Sequence, residues 1–94
     1  MPGVYEVRLR SKRVQREMDR LSRTDHERVL AKIRALAEIS QPQGCEKLYG
    51  NIYRVRVGSI RIIYLVDEQY KRVEVGAIRR RSEKTYKGID DLFS

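Results

Sequence analysis

Three arginines in the middle of the chain have the type and spacing to bind an anion. Arg54 and Arg56 alternate along one run of β-branched residues, and Arg61 stands in a second such run after the Gly58-Ser59 pair. Glycine at the first position of a two-residue turn is typical of a type II′ hairpin, so the two runs are predicted to pair as antiparallel strands. Arg56 then opposes Arg61, and like charges directly opposed across strands are destabilising. The pattern indicates either an anion-binding face or the solvated outer face of a half-buried sheet.

The densest basic run follows the last predicted strand and contains a tyrosine. Its cationic and aromatic side chains are Arg79, Arg80, Arg81, Lys84, Tyr86 and Lys87. Cations beside an aromatic ring are what single-stranded RNA recognition uses, because the charges follow phosphates and the ring stacks on a base. Taken alone, the run is a solvated charged segment. Its interpretation depends on where the preceding strand places it.

The register of the last strand decides which arginine joins the hairpin face. If a four-residue loop precedes this strand, Ile63 opposes Gly76, and Arg80 shares the face that carries Arg61. A one-residue change in the pairing moves every side chain to the other face. In that case Arg79 takes the place of Arg80.

Period-two alternation and helical spacing predict the elements that hold these residues. Residues 4–10 and 72–78 alternate as strands with one buried face. Ser11 precedes a short amphipathic helix over residues 12–21. Its exposed face is either solvated or in contact with RNA or the ribosome, and it carries Lys12, Arg13, Arg16 and Arg20.

A longer helix is predicted over residues 25–40, with Thr24 and Glu27 forming a capping box at its start. Residues 41–51, which include Glu46, are predicted to form a loop. The 94 residues, 40% of them hydrophobic, suit one domain with a single core. The expected fold is α+β, with an N-terminal strand, a two-helix hairpin and an antiparallel three-strand meander in one domain over residues 1–94.

The composition points to an anionic partner. Lysine and arginine number 21 against 13 aspartate and glutamate, which gives a net charge of +8 and favours nucleic acid, an anionic membrane surface or an acidic protein. No run approaches the ~18 apolar residues of a spanning helix, and the N-terminus lacks the apolar segment of a secretion signal. A soluble cytoplasmic protein without a membrane partner is therefore expected.

Metal, redox and cofactor chemistry find little support in the sequence. Cys45 is the only cysteine and His26 the only histidine, so neither has companions at metal-ligand spacing. His26 falls in the first turn of the longer helix and is interpreted as a surface residue. No metal ion and no small-molecule cofactor is expected.

Four segments occur in the order and at the spacing of a known family. They are KLYG at residues 47–50, YRVRVG at 53–58, RIIY at 61–64, and the arginines at 79–81 ahead of Tyr86. With the order of the elements, they resemble the RelE/ParE toxin superfamily of toxin–antitoxin modules over nearly the whole chain. The RelE-like branch implies ribosome-dependent cleavage of messenger RNA in the decoding site, without metal, and inhibition by a cognate antitoxin.

The resemblance also implies roles for residues at matching positions. A ribose 2′-hydroxyl would attack its own 3′ phosphate while fixed guanidinium groups stabilise the charge that develops on the phosphate oxygens. Arg56 and Arg61 would supply this stabilisation. Arg54 is the other basic site on the strand of Arg56. Arg80 would assist the leaving 5′ oxygen. Tyr86 would stack on or orient the substrate base.

The general base and the branch of the superfamily stay open at this stage. Arginine remains protonated below about pH 12 and is a poor base. Relatives in the YoeB branch use a glutamate just ahead of the equivalent leucine, and Glu46 precedes Leu48 in that way; the alternative is an exposed loop carboxylate. The ParE branch, which inhibits DNA gyrase, shares the fold and would not need clustered cations. An RNA-binding or antitoxin-binding domain without activity is a third reading, and the arginines favour the nuclease.

Overall fold

The chain folds as two helices packed on one face of a five-stranded sheet. The computed structural model describes residues 4–80 and Phe93. Within them the elements are β1 (Glu6–Leu9), α1 (Lys12–Asp19), α2 (Arg23–Ala35), β2 (Glu46–Tyr49), β3 (Ile52–Val57), β4 (Ile60–Asp67) and β5 (Arg72–Arg80). The strand order across the sheet is β1-β5-β4-β3-β2. β1 runs parallel to β5, and the other neighbours are antiparallel. The predicted α+β fold is confirmed.

The hairpin of β3 and β4 has the predicted register. Val57 pairs with Ile60, as the strands leave the turn. Arg56 pairs with Arg61 one step further along. Gly58 has a φ of +59°, which fits the first position of a type II′ turn and which other residues rarely adopt. The local sequence therefore determines how these two central strands align.

The main core lies between the helices and the inner face of the sheet. Val14 and Met18 of α1 and Val29 and Ile33 of α2 are buried against alternate residues of β3, β4 and β5. The strand positions between them point to the other side, because side chains alternate along a strand. A smaller cluster there contains Ile52, Ile63 and Ala77, with Leu48, Leu65 and Phe93 packed against it. The outer face is therefore apolar at its centre.

Residues 46–49 form an edge strand instead of the predicted loop. β2 pairs with β3, placing Glu46 opposite Arg54, and its register shifts between Lys47 and Tyr49. Glu46, Lys47 and Tyr49 are exposed, and Leu48 is half-buried. The alternation of apolar and polar residues that identifies a half-buried strand is therefore missing. An edge strand that buries few side chains does not require it.

The second helix begins two residues earlier and ends five residues earlier than predicted. Ser22 is its N-cap, and the Ser22 hydroxyl oxygen accepts a hydrogen bond from the Asp25 backbone N–H at 3.2 Å. The predicted capping box at Thr24 is therefore wrong. At the other end, the Ala37 carbonyl accepts N–H bonds from Val4 and Tyr5 at 2.8 and 2.9 Å. These bonds tie the chain after α2 to the segment that leads into β1.

The first strand and first helix are shorter than predicted. β1 covers four residues and α1 covers eight. Ser11 is the N-cap residue of α1, as predicted, although its side chain makes no capping hydrogen bond.

β5 departs from the predicted register at Gly76. Tyr64 pairs with Val75, but Ile63 pairs with Ala77, so Gly76 is an extra residue in β5. Such a bulge changes which residues oppose one another beyond it. The phenyl ring of Phe93 packs on Gly76 so closely that a Cβ at this position would collide with it. Glycine at position 76 therefore lets Phe93 pack on the outer face.

Gly76→Ala is expected to destabilise the domain by about 1–3 kcal/mol, the usual cost of overpacking a filled site. Urea unfolding would measure this loss. In a Phe93→Ala background the same substitution should cost much less, because the ring is gone. An equal cost in both backgrounds would show that Phe93 is not what requires glycine here.

Candidate functional site

One end of the outer sheet face carries four arginines on three adjacent strands. Arg54 and Arg56 lie two residues apart on β3, and Arg56 pairs with Arg61 of β4. Arg61 in turn pairs with Arg79 of β5. We call Arg54, Arg56, Arg61 and Arg79 the cationic face. The strand register confirms the predicted grouping of the first three, and it adds Arg79.

The electrostatics of Arg54 reflect this crowding. Its side chain is only 11% exposed. Burial lowers the pKa of the Arg54 guanidinium, and the positive charges of Arg61 and Arg56 lower it further. Arginine starts from so high a pKa that it stays charged at neutral pH. The cationic face thus holds mutually repelling charges, which attract an anion placed among them.

Glu46 lies at the rim of the cationic face. It stands opposite Arg54 across the β2–β3 pair, and its carboxylate forms an ion pair with the Arg54 guanidinium. The Glu46 side chain is 59% exposed, so solvent and ligands can reach it. Its predicted role as a candidate base stays a prediction.

Arg79 is held from the helix side. Its guanidinium forms an ion pair with Glu17 of α1, and the two side chains are 24% and 13% exposed. Sequence reasoning did not single out Glu17, because one acid on a charged helix looks like part of a solvated face. The contact joins α1 to the end of β5 at the cationic face.

Arg80 does not join the cationic face. It pairs with Ile60, which belongs to the buried core, and its own side chain is exposed at the end of β5. With Glu17, Arg20 and Arg79 it lines a cleft of about 280 Å³ between α1 and β5. The predicted placement of Arg80 beside Arg61 is wrong, because the bulge in β5 shifts the register by one residue.

Several predicted RNA contacts lie outside the described residues. These are Arg81, Lys84, Tyr86 and Lys87. Of the apolar tail over residues 89–93, the structure describes Phe93. The Arg10 side chain donates a hydrogen bond to the Phe93 carbonyl at 2.9 Å, and its guanidinium carbon lies 5.7 Å from the centre of the Phe93 ring. Phe93 is thus held on the outer face beside the cationic face.

The tyrosine of the RIIY segment has a structural role. Tyr64 is fully buried, and its hydroxyl donates to the Ser40 carbonyl at 2.7 Å. Burial raises the pKa of Tyr64 well above its usual range, so the phenol stays protonated. The Tyr64 side chain ties the segment after α2 to the sheet. It lies on the face of β4 opposite the cationic face.

Three of the four residues in the basic face predicted for the first helix are exposed, and Arg13 is half-buried. Lys12, Arg16 and Arg20 face solvent. Arg13 instead donates a hydrogen bond to the Gly76 carbonyl at 2.8 Å. His26 is half-buried and lines an apolar groove between the helices and β1.

Neither a metal centre nor a membrane span is recognisable in the part of the chain that the structure describes. No three histidine, cysteine or acidic side chains among residues 4–80 come together as a ligand set. No helix among the described residues is long and apolar enough to cross a bilayer.

The fold is shared with solved toxin structures. A chain of the archaeal RelE-RelB complex from Pyrococcus horikoshii OT3 is 23% identical, with a TM-score of 0.74 and coverage of 85% of this chain and 98% of that one. The isolated E. coli RelE toxin is 16% identical, with a TM-score of 0.73 and coverage of 89% and 92%. A chain of the intact E. coli RelBE toxin-antitoxin complex is 18% identical, with a TM-score of 0.71 and coverage of 84% of this chain and 99% of that one. The TM-scores of 0.71 to 0.74 show that the fold is shared.

The sequence itself identifies the family. No curated protein matches the chain. The family model described as ParE toxin of type II toxin-antitoxin system, parDE, matches residues 9–85, which include both helices and all four arginines of the cationic face. The chain is therefore a toxin of a type II toxin–antitoxin module and belongs to the ParE toxin family within the RelE/ParE superfamily.

Proposed function

We propose that this toxin is an endoribonuclease that cleaves messenger RNA on the ribosome, with the cationic face as its active surface. The observation that carries the proposal is the convergence of Arg54, Arg56, Arg61 and Arg79 on one side of three adjacent strands. Like charges that oppose each other across strands cost stability. A phosphodiester settled among them would offset that cost.

The reaction would be an attack of the ribose 2′-hydroxyl on its own 3′ phosphate. Negative charge develops on the non-bridging oxygens as the new bond forms, and the 5′ oxygen leaves. Arg56 and Arg61, directly opposed on β3 and β4, would stabilise that charge. Fixed donors placed in advance stabilise a transition state strongly because they do not reorganise during the reaction.

Arg79 takes the role near the leaving 5′ oxygen that the family resemblance implied for Arg80. The reason is its register position opposite Arg61. Arg80, exposed at the end of β5, is proposed as an RNA contact outside the reacting centre. Arg81, Lys84 and Lys87 are proposed as further backbone contacts, and Tyr86 as the residue that stacks on the substrate base.

Glu46 is the proposed general base. It is 59% exposed at the rim of the cationic face, whereas Glu17, the other acid in contact with that face, is 13% exposed. Only an accessible carboxylate can meet a 2′-hydroxyl that arrives with the substrate. The ribosome would supply the remaining alignment of attacking and leaving groups, which alone contributes strongly to such reactions.

The proposed inhibitor is a cognate antitoxin. RelE chains of similar fold are solved in complex with RelB antitoxins. An acidic or amphipathic antitoxin segment would cover the cationic face or displace the tail that ends near Phe93. A net charge of +8 on 94 residues favours an acidic partner through electrostatic complementarity.

Inhibition of DNA gyrase is the second candidate function. It is favoured by one observation, the match to the ParE toxin family. This function assigns no phosphodiester to the cationic face and leaves the clustering of its four arginines without a common role. The nuclease reading accounts for it.

Parallel assays on the purified toxin separate the two candidates. Messenger RNA is incubated with the toxin with and without ribosomes, and cut positions are read by primer extension. In parallel, gyrase supercoiling and DNA breaks are measured. We expect cuts in ribosome-bound message and unchanged supercoiling. DNA breaks with intact message would overturn the nuclease proposal in favour of gyrase inhibition.

A further inference from the structure

Beyond the end of β1, side chains of α1 cover the edge of β5 that faces away from β4. β1 pairs with β5 only as far as Val75. Beyond it, Arg13 donates to the Gly76 carbonyl at 2.8 Å, and the Ile78 backbone N–H donates to a Glu17 carboxylate oxygen at 3.0 Å. Backbone groups at a strand edge need partners. Arg13 and Glu17, one helical turn apart, thus provide the hydrogen-bond partners that a neighbouring strand would otherwise supply.

Glu17 connects this edge to the cationic face. One carboxylate oxygen accepts from Ile78, and the other contacts the guanidinium groups of both Arg79 and Arg13, the latter at 3.1 Å. The Glu17 side chain is only 13% exposed. Charge-assisted hydrogen bonds of this kind are strong and directional. The backbone of Ile78 and the side chain of Arg79 are therefore held by one carboxylate.

We propose that Glu17 is a positioning residue that fixes the Arg79 guanidinium between α1 and β5, at the edge of the cationic face, for a phosphodiester substrate. The inference rests on the proposed function, because it gives the ion pair a role in the same site. Arg79 is the penultimate residue of β5 and opposes the like charge of Arg61. Left to itself, its long side chain would turn away from that charge into other rotamers.

The chemistry of the guanidinium makes this arrangement suitable for catalysis. Its donors point in several directions within one plane, so one edge can bind a carboxylate while another binds a phosphate oxygen. Glu17 does not touch substrate in this scheme. It restricts Arg79 before substrate arrives, so that less alignment is needed at the moment of reaction.

Glu17→Gln tests the proposal, with Asp19→Asn as its matched control. Glutamine retains an oxygen for the Ile78 N–H but loses the charge that holds Arg79. Asp19 lies on the same helix, is exposed, and accepts a hydrogen bond from Gln15 at 3.1 Å. We expect Glu17→Gln to lower the cleavage rate of ribosome-bound message by about tenfold to a hundredfold, the cost of a misplaced catalytic group. The control should stay near wild type.

Coupling to Arg79 distinguishes positioning from a merely structural contribution. In an Arg79→Ala background, Glu17→Gln should cause little further loss of rate, because no guanidinium remains to be positioned. Melting temperatures well above the assay temperature for all variants show that the compared rates belong to folded toxin. A loss of rate that is as large without Arg79 as with it would overturn the inference. If Glu17→Gln does not fold, Glu17→Asp enters the same cycle with the same expectation.

The failure of this inference differs from the failure of the nuclease proposal. A wild-type toxin that leaves ribosome-bound message intact overturns the nuclease proposal alone. The double-mutant cycle is then measured as the affinity for a single-stranded RNA oligonucleotide. Coupling between Glu17 and Arg79 in binding would support the positioning role, and additive effects would overturn it.

Discussion

Arg61→Ala is expected to lower the rate of message cleavage by about 10²–10³, the usual loss when one fixed donor to a developing negative charge is removed. Arg61 is the central member of the cationic face, since it pairs with Arg56 on one side and with Arg79 on the other. Its removal leaves no guanidinium on β4 in that face. Single-turnover cleavage of ribosome-bound message measures the effect.

The matched control for Arg61→Ala is Arg23→Ala. It removes the same charge from α2, where the Arg23 side chain is 94% exposed. Its cleavage rate should remain near that of the wild type, which excludes an effect of net charge alone. Far-UV circular dichroism verifies that both variants are folded. A folded Arg61→Ala variant with unchanged cleavage would show that the reaction takes place elsewhere on the toxin.

Arg79→Ala and Arg80→Ala are expected to differ although the residues are adjacent. Arg79 opposes Arg61, whereas Arg80 opposes Ile60. We expect a loss of about 10² in cleavage rate for Arg79→Ala, by the same electrostatic argument. Arg80→Ala removes the same charge at the next position and should cost less than about tenfold, the range of a group that only contributes to the surrounding field.

The pair of variants also tests the register of β5 in solution. Both remove one exposed or half-buried arginine from the end of the same strand, so neither should unfold the core. Equal losses of cleavage rate would mean that RNA contacts the end of β5 on both faces of the sheet. A greater loss for Arg80→Ala would contradict the bulge at Gly76 and return the leaving-group role to Arg80.

The predictable part of the site is the part set by local sequence. The Gly58-Ser59 turn and the alternation of the flanking runs determine which residues oppose each other across the hairpin. Arg56 and Arg61 could therefore be paired by counting. The same counting failed at β5, because one extra residue in mid-strand leaves the loop length unchanged.

The missed features depend on contacts between distant parts of the chain. The bulge at Gly76 accommodates Phe93, which lies 17 positions later in the sequence. The contact of Glu17 with β5 joins positions separated by 61 and 62 residues. Such contacts leave no periodic pattern to detect. The edge strand β2 was missed for a different reason, since its mostly exposed residues do not alternate.

The parallel pairing of β1 with β5 also bears on when the toxin acquires its shape during synthesis. Glu6 and Arg72 are aligned although they are 66 residues apart, and contacts of such high sequence separation are intrinsically slow to form. A nascent chain that still lacks β5 can form neither this pair nor the arginine row that crosses β4 into β5. The cationic face is therefore incomplete until β5 has been synthesised and paired with β4.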